Sequence, residues 1–236
     1  MFEEVELIWN QILSEVQILS ERDTLLSGFY HSHVLNHKNF SEALSYVLSS
    51  KVGNTIISSM SLRDIIHRIY SSNFEIVFFA IKDMQKMYNS DVSIECYVIL
   101  FLYSKEFHAL QLYRISNFLW KKNRIELAIY FQNCISYEFS IDIHPASEIG
   151  YGINLDHACG IVIGRTTFIK NDCSKKKSFT FTYTKQTKNI FCPKINKGVT
   201  IGTGAIILGN IEIGSNVSIS PGSIILKSVY IDDISK

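Results

Sequence analysis

Seven isoleucines, Ile195, Ile201, Ile207, Ile213, Ile219, Ile225 and Ile231, follow one another at six-residue intervals without a break. Four residues after each of the first six stands Val199, Ala205, Ile211, Val217, Ser223 or Val229, mostly small or β-branched. An earlier stretch keeps the same period through Ile143, Ile149, Leu155 and Ile161, then resumes two residues out of step at Ile163 and Ile169. A period of six fits neither the 3.6 of a helix nor the two of a single strand. It fits a triangular coil in which three short strands complete a turn in about 18 residues, each aliphatic side chain stacking inward on its equivalent in the next coil. The spacing predicts a left-handed parallel β-helix. The glycines beside the inward residues, Gly150, Gly202 and Gly214, are assigned to tight corners.

The other half has a different grammar. Residues 1–140 contain only Gly28 and Gly53 and no proline, whereas the other ten glycines and Pro145, Pro193 and Pro221 lie beyond Ser140. Val5, Ile8, Trp9, Ile12 and Val16 share a helical face, and Phe107, Leu110, Leu112, Ile115, Phe118 and Leu119 mark another. A further helix runs from Ile125 to Phe131, and Ser61 with Asp64 is read as a capping box. The continuous apolar stretch Phe74–Ile81 is assigned to a bundle interior or a subunit contact. The expected fold is α+β, with an α-helical oligomerisation domain over 1–138 and the β-helix over 139–236.

Composition removes several classes of partner. With 23 basic and 22 acidic residues the net charge is +1, too even for an electrostatic grip on nucleic acid or an anionic membrane. No apolar run reaches the roughly 18 residues of a membrane span, and the acidic start lacks the basic region of a secretory signal. Five cysteines at irregular spacing suit reduced thiols, so the expected location is the cytoplasm. Only His144 and His157 lie in the repeat half, and no metal set is expected.

Chemistry gathers where the halves meet. Asp142-Ile143-His144-Pro145-Ala146 is followed by Gly150-x-Gly152 and by Leu155-Asp156-His157-Ala158-x-Gly160. A histidine is the usual base for deprotonating a hydroxyl that attacks a thioester, and a carboxylate on its far nitrogen fixes its tautomer. Asp142 and His157 stand 15 residues apart, a little under one coil. They can therefore lie on adjacent coils or across a subunit boundary. These motifs, PKINKGVTIGTGAIILGNI over 193–211, LIWNQI and FYHSHVLNH near the start, ALSYVLSSK at 43–51 and FHALQLYRI at 107–115 together resemble the serine O-acetyltransferases of cysteine biosynthesis, over about residues 2–230.

The resemblance implies acetyl transfer from acetyl-CoA to the hydroxyl of L-serine, with acetyl-CoA as co-substrate and no permanently bound cofactor. It implies His157 as base, Asp142 as its partner, Asp91 and Asp156 on the serine ammonium, and Gly204 and Ala205 against the coenzyme. It also implies a trimer through the β-helices and a dimer of trimers. The alternatives are a catalytically decayed structural or regulatory homologue, or another hexapeptide-repeat acetyltransferase.

The chain departs from the family over 175–192. Lys175 falls on an inward position, Thr182 and Tyr183 replace paired glycines, and Phe191-Cys192-Pro193 stands where Arg-His-Pro is expected. Val92 replaces a proline after Asp91, and Arg165 replaces a glutamate. These changes imply weakened activity, with serine affinity hurt most. The sequence stops at Lys236, without the family's further strand and tail, so docking to cysteine synthase is not expected.

Overall fold

A computed structural model describes residues 1–157, 159–175, 179–182 and 192–231. The chain forms two compact units, Met1–Gln111 and Leu112–Lys236.

The first unit is helical: α1 (Phe2–Arg22), α2 (Thr24–Tyr30) running into a π-helical turn at His31–Leu35, α3 (Phe40–Val52), α4 (Ser59–Ser72), α5 (Phe74–Ser90), α6 (Tyr97–Tyr103) and the start of α7 (Lys105–Lys121). The predicted stripe of α1 is its buried face: Val5, Ile8, Trp9, Ile12 and Val16. Trp9, Phe40 and Phe101 close the centre, with ring centroids 5.5–6.4 Å apart, and burial of each such side chain contributes roughly 1.5–3 kcal/mol. Asn39 caps α3 by accepting from Glu42 N, while the Glu42 carboxylate accepts from Lys38 N, satisfying two donors that the helix start would otherwise leave open. The capping box expected at Ser61 lies one turn too late. Ser58 is the N-cap and accepts from Ser61 N at 3.2 Å, which places Ser61 inside α4. In the Phe74–Ile81 stretch, Ile76, Val77, Ala80 and Ile81 are buried.

The second unit holds the rest of α7, then α8 (Ile125–Phe139) and thirteen short strands. The strands are β1 (Ile141–Ile143), β2 (Glu148–Ile149), β3 (Asn154–Leu155), β4 (Ile161–Ile163), β5 (Phe168–Ile169), β6 (Ser174–Lys175), β7 (Thr180–Thr182), β8 (Lys194–Ile195), β9 (Thr200–Ile201), β10 (Ile206–Leu208), β11 (Glu212–Ile213), β12 (Ser218–Ile219) and β13 (Ile224–Ile225). They pair in parallel as three sheets, β1-β4-β7-β10-β13, β2-β5-β8-β11 and β3-β6-β9-β12. Every third strand is thus a neighbour, the topology of a three-sided parallel β-helix. Ile195 pairs with Ile213 and Ile201 with Ile219, one coil of 18 residues apart, and all four are buried.

The register locates two insertions. Ile143 pairs with Ile163, 20 residues on rather than 18, so the first coil carries two extra residues between β3 and β4. That is the phase shift seen in the sequence. Ile169 pairs with Ile195, 26 residues on, so eight extra residues lie between β7 and β8. The inward column crosses both insertions: Phe181 pairs with Ile163 and Ile207 and is fully buried, as is Phe179. Lys175 takes the inward register between Leu155 and Ile201 at the level of the backbone. Its side chain, Lys176, Lys177, Ser178, Tyr183, Phe191 and the tail Asp232–Lys236 lie outside the described residues.

Gly150, Gly202 and Gly214 do lie at corners, between β2 and β3, β9 and β10, and β11 and β12. The left-handed backbone, however, falls at Gly152, Asp172, Gly198 and Asn216 on one edge and Gly160, Gly204 and Gly222 on another. Gly202 is small for a different reason. A Cβ there would lie 2.5 Å from Pro221 N in the next coil, so the glycine permits close stacking rather than an unusual φ. The inward isoleucine column also ends early. Ile225 is half-buried and Ile231 is 52% exposed, because among the described residues no coil stacks beyond them.

Candidate active site

α7 and α8 set the start of the solenoid. Tyr113 Oη donates to Ser147 O at 2.6 Å, and Arg114 donates to Ile149 O at 3.2 Å and Gly150 O at 2.7 Å. Asn117 Nδ2 donates to Pro145 O and Ser147 O. These donors satisfy carbonyls of the first coil that have no preceding coil to pair with. α8 ends at Ser140, whose left-handed backbone (φ 57) turns the chain directly into β1.

Asp142 is the middle residue of β1 and points outward, between the buried Ile141 and Ile143. Its Oδ1 accepts from Gln132 Nε2 of α8 at 2.7 Å. His157 sits in the two-residue insertion between β3 and β4. Its φ is 45°, a left-handed value that is costly for a residue with a side chain, and Gly160 in the same corner has φ 68°. The corner is pinned at its far end by Gly160 N–H donating to Ser140 O at 2.8 Å. The loop that carries His157 is therefore fastened to the start of the strand that carries Asp142.

The sequence-derived residues are not all brought together. The carboxylate beside the imidazole is Asp156, with Oδ1 3.7 Å from His157 Nε2, beyond hydrogen-bond length. No hydrogen bond joins Asp142 to His157 among the described residues, and the His157 side chain is 69% exposed. Asp91 belongs to the first unit, where it ends α5 and its Oδ1 accepts from Ser93 N and Oγ at 2.9 and 2.7 Å. Gly204 has φ 73° and lies 3.9 Å from Gly222 of the next coil, measured from the Cβ it lacks. Ala205 is buried, with its N–H given to Gly202 O and its carbonyl accepting from Thr180 N.

Register adds a relation that the sequence alone does not contain. Val162, Thr180, Ile206 and Ile224 are successive partners, and Gly160, Gly204 and Gly222 each precede their member of that column by two residues. The His157 corner, Gly204 and Gly222 thus share one edge of the prism, with coils spaced roughly 4.8 Å apart.

Neighbouring groups set the local electrostatics. His144 Nδ1 accepts from Ala146 N–H at 3.0 Å, so the neutral ring carries its proton on Nε2. Burial holds His144 below the usual histidine range, helped by the Arg165 guanidinium, which stacks over Trp120 at 5.7 Å. Cys192 is buried, receives no polar side chain at its N–H except the Thr166 hydroxyl, which accepts at 2.7 Å, and packs its sulfur toward Gly164. A second face carries an open groove of about 630 Å³ lined by Arg165, Phe168, Lys170, Lys194, Glu148 and Glu212.

Gln132, Tyr113, Arg114 and Asn117 escaped sequence reading. Nothing in their spacing marks a glutamine ten residues before an aspartate, and an arginine on a helix that also carries Lys105, Glu106 and Lys121 looks like a surface residue.

A parallel solenoid of hexapeptide coils with a histidine corner and a helical preface defines a hexapeptide-repeat acyltransferase architecture. Residues 8–112 match the model of the serine acetyltransferase N-terminal region, and residues 192–227 match that of the bacterial transferase hexapeptide with six repeats. A serine acetyltransferase of Buchnera aphidicola subsp. Baizongia pistaciae is 47% identical over 228 residues, covering 96% of this chain and 89% of that protein. A solved serine acetyltransferase in complex with CoA superposes with TM-score 0.90 at 43% identity, covering 95% of this chain and 94% of the other. Soybean serine acetyltransferase complexed with serine superposes with TM-score 0.93 at 34% identity, covering 96% and 93%. The chain belongs to the serine acetyltransferase family, and it is an acyltransferase. These relatives favour that reading over a non-catalytic homologue or another hexapeptide-repeat acetyltransferase.

Proposed function

We propose that the chain transfers acetyl from acetyl-CoA to the hydroxyl of L-serine, and that the edge shared by the His157 corner, Gly204 and Gly222 is where the two substrates meet. The observation that carries this is the inserted, left-handed corner at His157 standing on the same edge as Gly204. Two coils separate them, roughly 10 Å, a span that an extended thioester arm covers. The glycine corners let its backbone-hugging portion approach closely. Ala205 would contribute only by its small size beside Gly204, since its side chain is buried and its N–H and carbonyl are both bonded within the solenoid.

In the proposed reaction His157 removes the serine Oγ proton as Oγ attacks the thioester carbonyl carbon. The tetrahedral adduct collapses with cleavage of the C–S bond, and the imidazolium returns the proton to the departing thiolate. The exposed ring of His157 swings toward Asp142, whose Oδ2 has no other partner among the described residues, and Asp142 holds the tautomer and supports the cation. Asp156, already beside the corner, receives the serine ammonium; the family resemblance gives the same role to Asp91.

On the face that carries Asp142, the outward column leaves Val162 and Ile224 exposed, with Leu226 beside them and Ile206 half-buried between. Such a face suits a copy of the chain, and we assign it to a trimer, two trimers meeting through their helical parts. The balanced charge and the want of any described helix long and apolar enough to cross a membrane support a cytoplasmic enzyme of cysteine biosynthesis. Docking to cysteine synthase is not proposed; the residues on which that question turns, Asp232–Lys236, are outside the described set.

A thiol-release assay with acetyl-CoA, run with and without L-serine, tests the reading. Release that depends on L-serine is expected, and release that ignores L-serine counts against it. Because Phe191 stands where the family has an arginine, one charge-assisted bond to the serine carboxylate is missing. That bond is worth roughly 1.5–3 kcal/mol, so the serine KM should exceed that of an arginine-bearing relative by about one to two powers of ten.

A further inference from the structure

We propose that Gln132 of α8 is a positioning residue for the reaction, acting through Asp142; the inference rests on the reading of Asp142 given above. The contact is short, Nε2 to Oδ1 2.7 Å, and both side chains are half-buried. It exists because of the left-handed turn at Ser140. Gln132 lies eight residues before that turn, roughly 12 Å along the helix axis, and reaches Asp142 only because β1 folds back along α8. The buried face of α8 is Ala128, Phe131, Ile135 and Phe139, so Gln132 stands at the border of that face, where apolar packing does not dictate an amide.

The chemistry of the donor is specific. A lysine or arginine at this place would form an ion pair and draw the carboxylate's charge toward itself. A neutral amide fixes one oxygen by a hydrogen bond and leaves the full negative charge to act on the imidazolium. Binding Oδ1 also selects which oxygen is presented: with Oδ1 held from the helix side, Oδ2 is turned to the open side of the sheet. The corner that carries His157 is tied to Ser140, two residues before Asp142, so the helix, the carboxylate and the histidine corner share one anchoring point.

The test is a double-mutant cycle in the full-length chain, read by thiol release with acetyl-CoA and L-serine. Gln132→Met keeps the length and volume of the side chain and removes the donor. It should lower kcat roughly tenfold while leaving both KM values within about twofold and the melting temperature unchanged. Gln132→Glu, of the same shape but like charge to Asp142, should lower kcat further. Added to Asp142→Asn, Gln132→Met should cost nothing more, because the two act as one unit. Native kcat in Gln132→Met, or losses that multiply in the double variant, would overturn the inference and leave the Asp142 reading intact. Native kcat in Asp142→Asn would overturn both. Should Gln132→Met fail to fold, the Gln132→Glu pair completes the same cycle.

Discussion

His108 is fully buried on α7, with Nε2 donating to Phe101 O at 2.8 Å, and burial pushes its pKa down to about 4. The unfolded chain binds that proton near pH 6.5 and the folded chain does not, so the folded form loses stability as pH falls from 6.5 toward 4, by roughly 3 kcal/mol in all. Thermal melts across that window should show the loss, and His108→Gln should flatten it. For His157, 69% exposed in a corner, replacement by Ala should cut kcat by roughly two to four powers of ten with an unchanged melting temperature; a large drop in melting temperature instead would assign the residue to the fold. At this scale the sequence singled out His157 and Asp142, the pair proposed above for the reaction, since both sit in recognisable strings. It concealed Gln132, because the hydrogen bond to Asp142 is made by a turn at Ser140 that no local pattern announces.

Among elements, the end of α7 is the part whose loss should matter most to the solenoid. Arg114→Met would strip donors from Ile149 O and Gly150 O inside a buried site, and should cost about 2–4 kcal/mol by urea unfolding of the intact chain. Tyr113→Phe should cost only about 1 kcal/mol, because Asn117 continues to donate to Ser147 O. Element identity was legible wherever one period ran long enough. The six-residue column marked the inward isoleucines as far as Ile219, and the α1 stripe marked that helix's buried face. Boundaries were less legible: α4 is capped by Ser58 rather than Ser61, because serines at both places satisfy the same capping rule and only packing chooses between them. Which corner residue takes the left-handed φ was hidden for a related reason. Glycine serves both for left-handed backbone and for close stacking, and sequence does not separate Gly202 from Gly204. Packing likewise divides the chain inside α7, between Gln111 and Leu112, well before the change from helix to strand at Ser140, since Tyr113, Arg114 and Asn117 spend their donors on the strands.

For the molecule as a whole, the exposed apolar side chains Val162, Ile224 and Leu226 should be covered in solution. Ile224→Asp is expected to lower the mass measured by light scattering, and a wild-type chain that runs as a monomer would refute the proposed trimer. The register also has a consequence for how such a molecule can change over time. Phe181 stacks between Ile163 and Ile207 although eight extra residues separate β7 from β8. Both ends of that excursion are held by the stack, at Thr182 on one side and Pro193 and Lys194 on the other. Residues can therefore be gained or lost between Thr182 and Pro193 without retuning the register of the prism, so a copying error of that kind need not cost the fold.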